Sequence, residues 1–522
     1  MRVALVNPRL MSAATVQPPL ALCTLAAHLV PGGHEIRLVD LDLETRLSGA
    51  DARQAVSRQF RRELHDFAPD VVAFTSMYNN SLQVAELCRE SRGVCPDAVT
   101  VAGGPHFGAQ GTDALASVPA LDFVIEGEAE VAFAQLLRAV DGDGDVRTVS
   151  NLCYRAGGEI HRNPRAPLMD LALSHNTWET IAAAIDLRRY TATIDARDLV
   201  RGIYVEAGRG CPYHCTFCAP AEFWGRKYRV RGVATLLAEV RYLHEELGYD
   251  SFILVHDLLT ADRAFTAELC EAFLDARMPV RWMANARTDI KLDDLFARMR
   301  VAGCWKLFYG IESASPRIQT AIAKRLSPAG AFETIRAVEA HGIDATCSFV
   351  IGHAGETADE LSDSLRLGAR MKLLGAETVQ FHRLRLFPPA PLAAEQTDAE
   401  LDLDTLRLEY PYADVAPAEI EAVRRAPGFY SGYFAPRSAA GSARELAQVE
   451  LFFTQAVAIV PMTVLALAEF APFPLVDVFR EVLTELGPVD RMAFDPTDVD
   501  LLRNFGVLEP YVGKMIERTD DA

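Results

Sequence analysis

Short apolar runs recur along the first part of the chain: "RVALVNP" (Arg2–Pro8), "EIRLVDLD" (Glu35–Asp42), "DVVAFTS" (Asp70–Ser76), "VTVAGGP" (Val99–Pro105) and "DFVIEGE" (Asp122–Glu128). Each is rich in β-branched residues and bounded by Asn, Pro, Asp or Gly, a pattern that predicts buried strands. Between them, stretches such as "LALCTLAAHLV" and "SLQVAELCRES" keep helical spacing. Strands alternating with helices predict a parallel sheet covered on both faces.

The alternation pauses over residues 151–198 and then resumes. "GIYVEAG" reads as a strand, and Val233–Leu247 as a helix ended by Gly248. Further strands are expected in "SFILVHDLLTADRAF" (Ser251–Phe265), "RWMANARTD" (Arg281–Asp289), "LFYGIESAS" (Leu307–Ser315), "CSFVIGHAGETADEL" (Cys347–Leu361) and "ETVQFHRLRLFPPAPL" (Glu377–Leu392). Six such units predict a partial (β/α)6 barrel. Thr357 and Glu360 are spaced as a capping box for the helix after "GHAG".

Beyond Pro391 the pattern turns acidic and then aromatic, and from Ala443 to Glu485 it is mostly helical, broken by Pro461, Pro472 and Pro474. The last segment, Thr497–Ala522, reads as a short amphipathic helix with a charged tail. The expected division is therefore an α/β domain over 1–150, a linker over 151–198, a barrel over 199–392 and a mainly helical C-terminal domain over 393–522, which would shape the substrate pocket. Within that last domain "GFYSGYFAPRS" (Gly428–Ser438) is the candidate for touching substrate.

Composition narrows the function. The 522 residues carry 71 acidic and 52 basic side chains, a formal net charge of −19. That balance argues against a nucleic-acid partner and suits an enzyme of small molecules or peptides. "MRVALVNPRL" lacks the long apolar core of a signal peptide, so a cytoplasmic location is expected. Leu451–Ala468 is uncharged and near the lower limit for a membrane span, but Pro461 interrupts it and Glu450 and Glu469 flank it. A buried helix, and no membrane role, is the expectation.

In an open parallel sheet, ligands sit beyond the carboxyl ends of the strands. The loops there are polar or glycine-rich: "NPRLMSAATVQPP", "TSMYNNS", "GGPHFGA" and "EGEAE". Gly103 and Gly104 lack a Cβ and let a bulky ligand approach the backbone. No G-x-G-x-x-G follows the first strand, so a dinucleotide is not indicated.

The chemistry concentrates in "RGCPYHCTFCAP" (Arg209–Pro220). Of ten cysteines, Cys23, Cys88, Cys95, Cys153, Cys270, Cys304 and Cys347 are scattered, whereas Cys211, Cys215 and Cys218 fall within one loop. Structural zinc takes four closed ligands, and His214 inside the same loop would strain such a tetrahedron. A [4Fe–4S] cluster is the other reading: thiolates suit it, and three ligands leave one iron open.

These motifs resemble two parts of one enzyme family. "PPLALCTLAAHLVPGGHEIRLVD", the "GGPH" loop and the "EGEAE" loop resemble the Rossmann-like cobalamin-binding domain found at the front of many radical S-adenosylmethionine enzymes. The C-x-x-x-C-x-Φ-C pattern, with Phe217 as the aromatic, and the strands after it resemble the radical S-adenosylmethionine barrel. The resemblance implies cobalamin held by Ser76, Met77, Tyr78, Gly103, Gly104, Pro105, His106, Glu126, Gly127 and Glu128. The D-x-H-x-x-G motif, whose His ligates cobalt in methionine-synthase-type domains, is absent, which implies cobalamin without a lower His ligand. It further implies a [4Fe–4S] cluster on Cys211, Cys215 and Cys218. S-adenosylmethionine would be bound by Phe217, Arg287, Glu312, Ser313, Ile351 and Gly352, with His353 free to face the active site.

The activity implied is cleavage of S-adenosylmethionine to a 5′-deoxyadenosyl radical and transfer of a methyl group from cobalamin to an unactivated carbon. An electron donor such as flavodoxin or ferredoxin would be the partner. A radical rearrangement or cyclisation without methyl transfer is the alternative. Methylthiolation would call for a second three-cysteine motif, which the N-terminal part lacks. A non-catalytic cobalamin-binding module would need neither the cysteine loop nor the barrel motifs.

Overall fold

The computed structural model describes residues 1–8, 17–48, 52–173, 178–190, 193–194, 201–395, 398–403, 416–470 and 474–486. Strands β1 (Arg2–Asn7), β2 (Glu35–Asp40), β3 (Val71–Thr75), β4 (Val99–Gly103) and β5 (Phe123–Ile125) pair in the order β2-β1-β3-β4-β5, all parallel. Val3, Leu5, Val71 and Val101 pack on one face, and Ala4, Val6, Val72 and Val124 on the other. Burial on both faces is why these strands read as continuous apolar runs.

The span 151–198, expected as a linker, is largely structured. β6 (Leu152–Ala156) and β7 (Glu159–Arg162) extend the first sheet as an antiparallel hairpin beside β5. Its turn is Gly157–Gly158, both with positive φ (61° and 86°). That is the two-residue geometry matching strand twist, which glycine adopts without a Cβ penalty. Farther on, the helix Trp178–Ala184 packs against both the helix Leu20–Leu29 and the helix Val233–Glu245.

A second sheet begins with a short antiparallel edge, β8 (Thr193–Ile194), on β9 (Arg201–Glu206). A two-residue ribbon, β10 (Gly208–Arg209) with β11 (Arg229–Val230), follows. Then come β12 (Ser251–Val255), β13 (Arg281–Ala286), β14 (Cys304–Glu312), β15 (Asp344–Ile351) and β16 (Thr378–Arg383). The six long strands lie in sequential order, all parallel, and β16 does not pair back to β9 among the described residues. The expected partial barrel is therefore present as an open one. Thr357 and Glu360 make both bonds of the capping box.

The C-terminal helices share the barrel's core. Phe452, Phe453, Val457, Leu467 and Phe479 belong to the same buried cluster as Phe349 and Phe381. The apolar run Leu451–Ala468 is two helices, Ala443–Ile459 and Pro461–Phe470, bent by 112° at Pro461. No single helix among the described residues is long and apolar enough to cross a membrane. The helix expected near the C-terminus lies outside the described residues.

"GFYSGYFAPRS" is a packing element rather than a substrate contact. Phe429, Tyr430 and Tyr433 are buried in the core of the N-terminal sheet, and the Tyr433 hydroxyl lies 3.0 Å from Ser81 Oγ. These aromatic rings fasten the chain after the barrel to the domain before it.

A buried ion cluster fastens the C-terminal part to the last barrel strand. Arg383 donates from Nη1 to Asp402 and from Nε to Glu450 Oε2 at 2.8 Å, with all three side chains almost fully buried. Removing one partner of such a set strands the others in low dielectric. Arg383→Met should therefore cost about 3–5 kcal/mol, measured as a lowered thermal midpoint; an unchanged midpoint would mean the cluster restrains nothing.

Candidate active site

The cysteine loop leaves the sheet at the end of β9 and returns as β11, so the ribbon of Gly208–Arg209 with Arg229–Val230 forms its neck. Gly210 (φ 89°) sits there, where a Cβ would come within 1.9 Å of the Lys227 carbonyl oxygen. Only glycine fits. The loop is pinned from three other barrel segments: Gly210 N–H donates to Asp257 Oδ2 (2.7 Å), Thr216 N–H to Ile322 O (3.0 Å), and Leu392 N–H to Thr216 O (2.9 Å).

Cys215 is buried, Cys211 and Cys218 are half-buried, and none is in a disulfide. Burial pushes the Cys218 thiol up to about 12, and negative charge on Cys215 and Cys211 adds to the rise. Cys211 shifts upward for the same two reasons, burial first. Burial and neighbouring negative charge thus both oppose ionisation of Cys211 and Cys218. His214, the fourth zinc ligand considered from sequence, is exposed. No three His, Cys, Asp or Glu side chains converge on a single ion among the described residues. Three thiols on one loop suit a cluster, whose thiolates each bind a different iron.

Arg287 stands beside the loop but does not face open space. It clamps Asp289 (2.9 and 2.8 Å), donates to Lys324 O (3.0 Å), stacks on the Tyr213 ring at 3.8 Å and points Nη1 at Cys215 Sγ, 3.8 Å away. Glu312, at the end of β14 with φ 68°, is ion-paired with Lys324. A Cβ on Gly310 would fall 2.3 Å from Glu312 Oε1 and 2.7 Å from Lys324 Nζ, so glycine makes room for this pair. Phe217 is half-buried within the loop.

Two residues of the expected S-adenosylmethionine set have buried side chains. Ser313 is fully buried and its hydroxyl lies 3.4 Å from Ser364 Oγ on the helix Ala358–Leu374, and Ile351 belongs to the barrel core. Gly352 (φ 80°) donates its N–H to Glu356 Oε2 at 2.6 Å, as His353 does at 3.2 Å. His353 is buried, and burial pulls its imidazole down to about 4.

An open cleft of about 1150 Å³ lies where the N-terminal sheet meets the barrel. Gly103, Gly104, Pro105, Gly127 and Glu128 line it, together with the apolar side of the helix Leu20–Leu29. Of the other expected cobalamin contacts, several do not reach it. Glu126 is fully buried and paired with Arg162 and Arg165. Ser76 spends its hydroxyl on Gly103 O (2.7 Å) and the Phe107 N–H (2.9 Å). His106 is fully buried against Tyr78, Phe107 and Phe429, and burial holds its imidazole near 3. Met77 N–H donates to Asn80 Oδ1 (2.8 Å). Tyr78 stacks on Phe387 at 4.4 Å, where burial, then the charges of Cys218 and Asp257, raises its phenol above the ordinary range. Its ring thus lies between the N-terminal domain and the cysteine loop. Residues 9–16 of the first loop lie outside the described residues.

The barrel also forms part of this cleft, through Glu206, Arg209, Phe223, Trp224 and Val255. Arg209 Nη1 donates to Glu128 (2.9 Å), Nη2 to Glu130 (2.6 Å) and Nε to Glu206 (2.6 Å). Arg229 reaches the same Glu128 oxygen at 2.8 Å. Burial works against the Arg209 charge, but Glu206 and Glu130 outweigh it and hold the guanidinium above its ordinary range. Arg209 lies two residues before Cys211, and Glu128 and Glu130 belong to the "EGEAE" loop, so one side chain joins the two sites.

Comparison with known proteins agrees with this arrangement. Residues 7–137 match the B12 binding domain and residues 205–368 the radical SAM superfamily, together more than half of the chain. The chain belongs to the B12-binding radical SAM enzymes. An uncharacterized methyltransferase of Pyrococcus horikoshii is 26% identical over 381 residues, covering 72% of this chain and 79% of its own. The anaerobic magnesium-protoporphyrin IX monomethyl ester cyclase of Cereibacter sphaeroides is 29% identical over 313 residues, covering 58% of this chain and 50% of its own. In fold, the chain is similar to the radical S-adenosylmethionine methyltransferase TsrM from Kitasatospora setae, solved with cobalamin and a [4Fe-4S] cluster bound. The TM-score is 0.66 at 16% identity, over 92% of this chain and 99% of that one.

The family implies a [4Fe–4S] cluster, S-adenosylmethionine and cobalamin, and the residues fit. The cysteine loop offers three free thiols, the soft ligands such a cluster takes. Gly104 (φ 84°) packs against the β3 loop so closely that a Cβ would lie 2.8 Å from the Ser76 backbone, and Gly127 beside it leaves open space where a Cβ would be, so the cleft can admit a bulky group.

Glu356 gives this radical SAM enzyme a pH signature. Burial raises its carboxyl from 4.5 to about 7. The unfolded chain releases that proton first, so the stabilisation is full below about pH 4.5 and lost as pH rises through about 7. Glu356→Gln keeps an oxygen for the Gly352 and His353 amides but has no charge to bury. Relative to wild type, the variant should gain about 3 kcal/mol between about pH 4.5 and about pH 8, read from anaerobic thermal unfolding at both ends. A difference independent of pH would show that the group titrates normally.

Proposed function

We propose that this enzyme transfers a methyl group to an unactivated carbon of a small-molecule or peptide substrate. The observation that carries the reading is the shared wall of the two sites: the cleft of the B12 binding domain is closed by Glu206, Arg209, Phe223, Trp224 and Val255 of the radical SAM barrel. A cobalamin in the cleft would thus face the barrel mouth, as methyl transfer to a substrate held there demands.

When bound, the cluster supplies one electron, S-adenosylmethionine a 5′-deoxyadenosyl radical that removes hydrogen, and cobalamin the methyl group. The chain's own part is to bind, orient and exclude water. Cys211, Cys215 and Cys218 hold the cluster. The buried Glu312–Lys324 pair would offer one anion and one cation to the amino and carboxylate groups of S-adenosylmethionine, with Phe217 and Gly352 as its further contacts. Gly103, Gly104, Pro105, Gly127 and Glu128 line the cobalamin site, and Tyr78 stands between the two centres. The division into a cobalamin domain, a barrel and a C-terminal domain that closes over substrate belongs to the same reading, as do a cytoplasmic location and an electron donor such as flavodoxin or ferredoxin.

Radical rearrangement or cyclisation without methyl transfer is the second reading, favoured by the relative named as a cyclase. The two separate without knowledge of the substrate. Holoenzyme incubated with methyl-labelled S-adenosylmethionine should carry label into its bound corrinoid, and reductant should release 5′-deoxyadenosine. Deoxyadenosine with no label on the corrinoid would replace methyl transfer by the rearrangement.

A further inference from the structure

Arg287 follows β13 directly and is only 5% exposed. Its guanidinium is fixed in two directions. In its plane, Nε and Nη2 fork onto the Asp289 carboxylate, and Nη2 also donates to Lys324 O. Across its face lies the ring of Tyr213, 3.8 Å away, in the stretch between Cys211 and Cys215. With those contacts made, Nη1 is left aimed at Cys215 Sγ, 3.8 Å away.

We propose that Arg287 is a positioning residue that sets the reduction potential of the cluster through Cys215, rather than a counter-ion for the S-adenosylmethionine carboxylate. The inference rests on Cys211, Cys215 and Cys218 being cluster ligands. The physical reason is charge. A cationic donor on a ligating sulfur stabilises the electron-richer, reduced cluster more than the oxidised one, and hydrogen bonds to sulfur are among the groups that tune such potentials. The fork and the stacked ring hold Nη1 on Cys215 through the protein's own contacts. Lysine at this position would keep the charge but lose both the fork and the flat face. Asp289 is 39% exposed and so only partly offsets the cation.

The test uses the full chain, reconstituted anaerobically with iron and sulfide in the absence of S-adenosylmethionine. Wild type, Arg287→Gln and Arg287→Lys are analysed for iron and titrated with a reductant while the electron paramagnetic resonance signal of the reduced cluster is followed. With iron retained, the Gln variant should titrate at a more negative midpoint than wild type and the Lys variant between them. If the Gln variant loses its iron, the Lys variant decides: a negative shift supports the proposal and none overturns it. An iron-loaded Gln variant at the wild-type midpoint overturns it too, even where its affinity for S-adenosylmethionine has fallen. A wild-type chain that takes up no iron overturns the cluster reading and this proposal together; a loaded wild type with unmoved variants overturns this proposal alone.

Discussion

One buried guanidinium holds the two halves of the site in register. Arg209 binds Glu128 and Glu130 from the N-terminal domain and Glu206 from the barrel, beneath the face of Trp224. Carboxylates this deeply buried are tolerable only with a cation among them, and the cation only with them. Glu128 and Glu130 of the N-terminal domain therefore draw their cation from the barrel. Because Arg209 also lies in the loop neck, the arrangement that neutralises Glu128 fixes where the cysteine loop begins.

The rest of the chain repeats that logic at longer range. Arg383 joins the last barrel strand to Asp402 and Glu450, and the aromatics Phe429, Tyr430 and Tyr433 close the C-terminal part onto the first sheet. The chain thus runs from the N-terminal domain through the barrel and back to the N-terminal domain. The cleft lies within that circuit. Gly210 and Gly104 stand where any side chain would collide with backbone, one at the neck of the cysteine loop and one at the cleft floor.

Much of this was legible in the sequence, for local reasons. The parallel strands announced themselves as β-branched runs between turn residues, and the three cysteines by their spacing. What stayed hidden depends on pairing at a distance. Nothing near Arg209 reveals that its partners are some eighty residues upstream, and Lys324 carries no motif of its own. Glu126 and Glu128 look alike in "EGEAE", yet two residues along the chain send one to Arg162 and Arg165 and the other to Arg209. The same holds for Ser313 and Ile351, whose burial at the strand ends depends on which face each side chain takes. The β6–β7 hairpin does have a local mark, its Gly157–Gly158 turn, but its place on the sheet depends on pairing with β5.

The central claim is that a single chain holds a cluster and a cobalamin against one common wall. Anaerobic reconstitution with iron, sulfide and hydroxocobalamin, followed by desalting, tests it directly. About four irons and about one corrinoid should remain per chain. Iron without corrinoid would contradict the cleft as the cobalamin site, and corrinoid without iron would contradict the role given to the three cysteines.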